Sequence, residues 1–399
     1  MAKPEIRLKG FDGEWDKKEL CSLYEPSSIK NKIYGADKII SVANMYFKPV
    51  SYISDDEYLK SYNVMSLGDI AFEGNKSKNF AHGRFVENTI GDGIVSHVFV
   101  VLKPISKKYD LQFWKYYINY ERIMGPILQR CTKHSTMMTD IVVADFLKES
   151  ILVPSYEEQK KIGQTLKSLD SMIKATTDKI ASLKQMRQAC LVSMFPQAGE
   201  TTPRVRFKGF EGEWDYLPMS DMFMERHDIS TITDNLPQLS FTIEEGVIRP
   251  EDRKTNKRDF LIKDKSNKKY LVTRLDDIIY NPANVIYGAI HKNSLCDGVV
   301  SPIYKIFYTQ QDPSFMECVV RRPEFIKEMT IYMEGTVQKL RTLKPEAFLR
   351  MSAYIAPSLE EQKKIGYYFR SLDKQISLLE KRLEKLKQIK AACLDKMFV

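Results

Sequence analysis

The chain has 399 residues, a formal net charge of +9, 43% hydrophobic residues, 20 Phe and 21 Tyr. That length predicts about two to three domains, and the aromatic content is enough for a core in each. No run approaches the roughly 18 uninterrupted apolar residues of a membrane span, the opening MAKPEIRLKG has no apolar signal segment, and cysteines 21, 131, 190, 296, 318 and 393 contain no CxxC pair; the expectation is a cytoplasmic protein without a membrane span, zinc site or disulfide framework.

From the N-terminus, the first distinctive segment is Arg7-Leu-Lys-Gly-Phe-Asp-Gly-Glu-Trp-Asp16. It returns as Arg206-Phe-Lys-Gly-Phe-Glu-Gly-Glu-Trp-Asp215. Pro154-Ser-Tyr-Glu-Glu-Gln-Lys-Lys-Ile-Gly163 returns as Pro357-Ser-Leu-Glu-Glu-Gln-Lys-Lys-Ile-Gly366, and LKQMRQACLVSMF (183–195) as LKQIKAACLDKMF (386–398). A period of about 200 residues is far beyond the roughly 20–50 of solenoid repeats. The chain is therefore a tandem duplication of a whole domain plus a helix. The offset between copies is 199 as far as Ser41/Ser240, 208 at Tyr62/Tyr270, 205 at Asp92/Asp297 and 203 at the end. Copy two gains about nine residues between 241 and 269 and loses about three between 284 and 296.

Asp69–Phe72 and Asp277–Tyr280 are short strand-like runs. Gly93–Leu102 and Gly298–Phe307 are longer, with the Val, Ile and aromatic content that strands favour; His97 falls inside the first and reads as a structural residue. Segments 111–124 and 314–333 predict helices. In 156–195 and 359–398 the apolar residues recur in steps of four and three. Copy one shows Ile162, Leu166, Leu169, Ile173, Ile180 and Leu183; copy two shows Ile365, Phe369, Leu372, Ile376, Leu379, Leu383 and Leu386. That period of about 3.5 marks a coiled-coil seam. Ser155 and Ser358 predict N-caps, with Glu158 and Glu361 three residues on as in a capping box. Each rod of forty residues is about 60 Å long, and its narrow stripe is best satisfied by pairing the two helices; the alternative lays each helix on its own domain. The expected fold is α+β: globular domains 1–152 and 198–355, separated by long helices 153–197 and 356–399 that form an antiparallel coiled coil with pseudo-twofold symmetry.

No catalytic constellation emerges. There is no GxxxxGK[ST] phosphate loop and no GxGxxG. Asn281-Pro-Ala-Asn284 lacks the aromatic ring with which the Asn-Pro-Pro-Tyr motif of amino-group methyltransferases stacks a flipped base. Glu158-Gln-Lys160 and Glu361-Gln-Lys363 fit the Glu-x-Lys half of a nuclease site, but they open long helices without an upstream metal-binding Asp. A solvated helix face is the expectation there, and no metal site is expected.

Charge points to nucleic acid only where it clusters. Residues 1–150 carry 21 basic and 19 acidic residues, and 198–352 carry 23 of each. Within the copy-two insertion, however, Arg249 to Arg274 holds ten basic residues against four acids. Arg249, Arg253, Lys254, Lys257 and Arg258 are candidates for meeting phosphates, with salt-dependent affinity from counterion release. Copy one has a smaller counterpart in Lys76, Lys78, His82 and Arg84. A further pair of matched loops supplies Arg130, Lys133 and His134, and Gln338, Lys339 and Arg341. These residue types read base edges in the major groove; a solvated loop is the alternative.

This order of motifs resembles the specificity subunit of type I restriction–modification enzymes. The likeness rests on the Lys-Gly-Phe-x-Gly-Glu-Trp segments at 9–15 and 208–214, the Pro-Ser-x-Glu-Glu-Gln-Lys-Lys-Ile segments at 154–162 and 357–365, and the helix ends at 184–191 and 387–394. It covers essentially the whole chain. The resemblance implies two target recognition domains, each reading one half of a bipartite, asymmetric site on double-stranded DNA. It implies paired helices that act as a ruler and dock methyltransferase subunits, two in number, with restriction subunits joining that core. Catalysis then belongs to the partners, as do S-adenosylmethionine, ATP and Mg, and this chain is not an enzyme. Half-site centres one helical turn apart, about 10 bp, suit a rod of about 60 Å. The competing readings are a coiled-coil scaffold that does not bind DNA and a fused modification–specificity enzyme, for which the chain is about 500 residues short.

Overall fold

The computed structural model describes residues 3–50, 56–134, 139–253, 268–335 and 341–399. The chain forms two compact units: Met1–Thr177 with Lys381–Val399, and Asp178–Glu380. The units therefore do not follow the sequence copies, because each takes in the closing part of the other copy's long helix.

Unit 1 is built on a four-stranded antiparallel sheet in the order Tyr24–Ser27, Val101–Pro104, Ile70–Glu73, Arg84–Glu87. Unit 2 has the same order: Phe223–Glu225, Lys305–Thr309, Ile278–Tyr280, Ile290–Lys292. Each unit adds a two-stranded ladder joining the start of its domain to the strand before its long helix, Asp16–Glu19 with Ser150–Val153 and Asp215–Pro218 with Ser352–Ile355. Helices Leu111–Tyr117 and Glu121–Cys131 in unit 1, and Pro313–Val320 and Pro323–Tyr332 in unit 2, cover the sheets. The core of unit 1 gathers Trp15, Tyr24, Phe85, Phe113, Trp114, Tyr117 and Phe146; that of unit 2 gathers Trp214, Phe223, Tyr280, Phe307, Phe315 and Phe348. The two closed tight turns are shared as well. Asn88 donates to Met65, Ser66 and Gly91 carbonyls, and Asn293 to Thr273 Oγ1 and to Arg274 and Cys296 carbonyls.

The expected long strands Gly93–Leu102 and Gly298–Phe307 are each broken. Gly93–Val95 pairs with Asn63–Met65, and Val101–Pro104 belongs to the four-stranded sheet; copy two divides into Gly298–Val300 and Lys305–Thr309 in the same way. His97 lies in the intervening turn and is exposed, not a strand interior. An apolar run reports burial, and burial here is supplied by two different sheets. The predicted helix 314–333 is also two, because Pro323 has no N–H to give and starts a new helix at its first position.

The long helices run Tyr156–Ser193 and Leu359–Met397. The stripe predicted as the seam is the inward one: Ile162, Leu166, Leu169, Ile180, Leu183, Ile365, Phe369, Leu372, Ile376 and Leu386 are buried, and Ile173, Leu379 and Leu383 half-buried. The pairing within each unit is antiparallel. In unit 1, Lys390 meets Asp170 at 2.6 Å while Met397 and Phe398 join the cluster of Ile162 and Leu166. In unit 2, Lys184 meets Glu380 at 2.7 Å, Arg187 meets Asp373 at 2.5 Å, and Cys190 lies 3.3 Å from the Tyr368 hydroxyl. The Asp170–Lys390 and Asp373–Arg187 pairs are repeat equivalents, each 203 positions from its counterpart.

Candidate nucleic-acid interface

The repeated motifs turn out to seat the helices. Arg7 gives a two-pronged ion pair to Glu158, Nε to Oε1 at 2.8 Å and Nη2 to Oε2 at 2.7 Å, and a further bond to the Gly13 carbonyl. Arg206 repeats this on Glu361, at 2.6 and 2.8 Å, and on the Gly212 carbonyl. The expectation that Glu158-Gln-Lys160 and Glu361-Gln-Lys363 present a solvated face is corrected for their first two residues: Glu158, Gln159, Glu361 and Gln362 are all buried. Ser155 Oγ accepts from Glu158 N at 3.3 Å as an N-cap does. The glutamate, though, pairs with Arg7 rather than reaching back to complete a capping box.

Gln159 Oε1 accepts from Asp110 N at 3.3 Å and from the Trp114 indole at 3.2 Å, while Asp110 Oδ1 caps helix Leu111–Tyr117 through Phe113 N at 2.9 Å. In unit 2, Gln362 Oε1 takes Asp312 N at 3.1 Å, and Asp312 Oδ1 caps the next helix through Phe315 N at 2.8 Å. Gly163 and Gly366 let the long helix approach that cap. A Cβ on Gly163 would sit 2.5 Å from Asp110 Oδ1, and one on Gly366 would sit 2.3 Å from Asp312 Oδ1. These groups are consumed by structure. Among the described residues no group of His, Cys, Asp and Glu is placed to hold a metal ion, and no helix is long and apolar enough to cross a membrane.

Within unit 1 the two candidate DNA-contacting loops converge. In unit 1 the loop after Ile70–Glu73 carries Lys76 and Lys78, both exposed, then His82 and Arg84, both half-buried. Thr139 N donates to the Gly74 carbonyl at 3.0 Å, which lays the hairpin Thr132–His134 with Thr139–Ile141 beside that loop. Two separate sequence clusters thus share one end of the sheet. Their members differ in freedom. Arg84 stacks over Phe80 at 4.7 Å and donates to the Ala43 carbonyl. Arg130 is committed to Glu149 through two bonds of 2.8 and 2.6 Å, which holds that carboxylate below its usual range. Lys133 is exposed, and the side chain of His134 lies outside what is described. Along the strand from Arg84, Glu87 accepts from the Tyr109 hydroxyl at 2.5 Å, and burial pushes its carboxyl up to about 9.

In unit 2, Arg249 is exposed and Arg253 half-buried. Lys254, Lys257, Arg258, Gln338 and Lys339 lie outside the described residues. Arg341 closes the end of helix Pro323–Tyr332 by donating to the Met333 carbonyl at 2.7 Å, so its guanidinium is partly spent on structure.

Sequence reasoning weighed Asn281-Pro-Ala-Asn284 only as a methyltransferase motif and set it aside, so the unit 2 equivalent of the 74–84 loop was not among the DNA-binding candidates. There, Leu343 N donates to the Pro282 carbonyl at 3.0 Å, just as Thr139 does to Gly74. The result is a groove of about 790 Å³, whose lining includes His227, Asn281, Asn284, Ile303, Lys305 and Lys344. The offset change between 284 and 296 is the sequence signal that could have marked this end of the sheet as divergent.

The two units are copies of one α+β frame that carry different polar loops at the equivalent end of the four-stranded sheet. Residues 25–185 match the family model described as type I restriction modification DNA specificity domain. The whole chain is similar in fold to the type I restriction–modification S subunit from M. genitalium, at 14% identity and a TM-score of 0.59, covering 100% of this chain and 99% of that one. It also aligns with the HsdS subunit from Thermoanaerobacter tengcongensis, at 14% identity, a TM-score of 0.45 and coverage of 100% and 99%. A structure described as the basis of complex assembly and conformational transition of the type I R-M system aligns at 13% identity, a TM-score of 0.43 and coverage of 96% and 97%. No curated protein matches the chain.

Proposed function

We propose that the chain is the DNA-specificity subunit of a type I restriction–modification complex, reading an asymmetric bipartite target with one half-site per recognition domain. The domains are taken as 1–152 and 198–355, with 153–197 and 356–399 as spacers. The observation that carries the reading is the shared frame with unshared loops. Both units keep the same sheet order and the same Arg–Glu seat, while the equivalent loops hold Lys76, Lys78 and Arg84 in one and Asn281 and Asn284 in the other. A common frame offers two similar docking geometries, and different side chains make the half-sites different. Half-site centres one turn of duplex apart, about 10 bp, are the expected spacing.

In this reading the chain performs no chemistry. Two methyltransferase subunits and the restriction subunits dock on it in the cytoplasm and bring S-adenosylmethionine, ATP and Mg. The test is methylome sequencing of cells carrying the chain with its methyltransferase, repeated after residues 1–150 are exchanged for those of a relative. One half of the methylated motif should change and the other persist. A motif that changes in both halves, or in neither, overturns the assignment of one half-site to each domain.

A further inference from the structure

The groove of unit 2 is built from four separated pieces of chain: the end of strand Phe223–Glu225, the loop 281–284, the turn entering strand Lys305–Thr309, and residues 342–346. The loop is held in one shape. Asn281 N donates to the Ala289 carbonyl at 2.9 Å, Asn284 N to the Asn281 carbonyl at 3.1 Å, and Ala283 N to Asn281 Oδ1 at 3.1 Å. That leaves the NH₂ of Asn281 and the whole carboxamide of Asn284 unused among the described residues. Lys305, half-buried in the wall, likewise has no partner there. Lys344 is paired with the exposed Glu334 at 2.7 Å. Ile303 is 59% exposed, and Glu225, with His227 Nε2 at 3.7 Å, Thr342 and Glu346 complete the polar lining.

We infer that this groove reads base edges of the second half-site, with Asn284, Lys305 and Ile303 as specificity-determining residues; the inference rests on the reading given under Proposed function. The chemistry of the lining suits bases better than backbone. Two carboxylates against two ammonium groups give little net attraction for phosphate. Each type, however, has a partner in the major groove: Asn for adenine N6 and N7, Lys for guanine O6 and N7, Glu for cytosine N4, and an exposed aliphatic side chain for the thymine methyl. Phosphate contacts position a protein on the duplex and base contacts specify. The strongly basic stretch that begins at Arg249 is suited to the first task and the groove to the second. Divergence between copies agrees. At the equivalent positions unit 1 has Glu73, Lys76, Val98 and Val100 where unit 2 has Asn281, Asn284, Ile303 and Lys305, so the same pocket frame presents a different pattern.

The experiment selects bound duplexes from a randomised library with the full chain and with Asn284→Ala, Lys305→Ala and Ile303→Ala, after circular dichroism has shown each variant folded. Arg249→Ala serves as the contrast. The groove variants should relax or change preference at one or two adjacent positions of one half-site, with a loss of about 5- to 150-fold against the preferred base, and leave the other half-site intact. Arg249→Ala should weaken binding evenly on all sequences and reduce the salt slope by about one. If wild type selects a bipartite motif and all three groove variants select the same one unchanged, the groove is not the reader and this inference falls alone. If wild type selects no sequence, the proposed function falls and takes the inference with it.

Discussion

Arg7 holds Glu158 through two parallel bonds of 2.8 and 2.7 Å across 151 residues of chain. The Glu158 side chain is 2% exposed, so the ion pair is a closed one. It ties the opening segment to the first turn of the long helix, and Arg206 with Glu361 does the same in unit 2.

Breaking such a pair by removing one partner leaves an uncompensated buried charge. Arg7→Ala is expected to cost about 3–5 kcal/mol. Arg7→Lys should recover only part of it, because a single ammonium cannot supply the two-pronged geometry. Denaturant unfolding of the three proteins checks this. Equal midpoints for wild type and Arg7→Ala would show that the pair contributes nothing.

Gly163 sits inside a helix, where replacement by Ala ordinarily gains up to about 1 kcal/mol. Here a Cβ would meet Asp110 Oδ1 at 2.5 Å and Phe113 N at 2.8 Å. Both are fixed by the cap they form, so the neighbours cannot yield cheaply. Gly163→Ala is expected to destabilise by about 1–3 kcal/mol, and Gly366→Ala likewise. The sign of the change in melting temperature decides the matter.

Phe398 packs edge-on against Phe113, Tyr117 and Tyr120, with centroids 5.1 to 5.7 Å apart. The helix end of copy two is thus part of the core of unit 1. Its equivalent, Phe195, lies against Trp214, Phe315 and Phe369 in unit 2. Phe398→Ala should cost about 3–5 kcal/mol, and it should speed hydrogen exchange in strands Ile70–Glu73 and Val101–Pro104 while sparing unit 2. Phe195→Ala should do the reverse. Loosening of unit 2 alone by Phe398→Ala would contradict the assignment.

Much of this frame was legible because duplication prints it twice. Matched residues such as Asp69 and Asp277 read as framework, and both fix turns by accepting from Ser66 N and Arg274 N at 2.7 Å. The four-and-three rhythm gave the inward stripe of both helices. What stayed hidden is non-local. Glu158 and Gln159 look solvated on a helical wheel because their partners, Arg7 and Asp110, are distant in sequence. Arg130 and Arg341 look like free cations for the same reason; their acceptors are Glu149 and the Met333 carbonyl. The groove was missed because Asn281 and Asn284 meet Ile303 and Lys305 only in the folded sheet, about twenty residues on in the sequence. The turn after Val95 was missed because an apolar run gives no sign of where the chain passes from one sheet to another.

Glu87 makes unit 1 sensitive to pH. Burial raises its carboxyl from 4.5 to about 9, against the opposing effect of the bond from Tyr109. The folded state therefore keeps a proton that the unfolded chain releases near 4.5. Stability from this group is full below pH 4.5, falls as pH rises through that window, and is lost above about 9. Glu87→Gln mimics the protonated form. Its melting temperature relative to wild type should rise steadily from pH 5 to pH 9. Parallel curves over that range would show that Glu87 is ionised throughout.

The account as a whole rests on two different readers carried by one frame. Selection of bound duplexes from a randomised library by the full-length chain tests it most directly. The prediction is a single asymmetric motif of two unlike half-sites with centres about 10 bp apart. A palindromic motif, centres two turns apart, or no enrichment at all would contradict it.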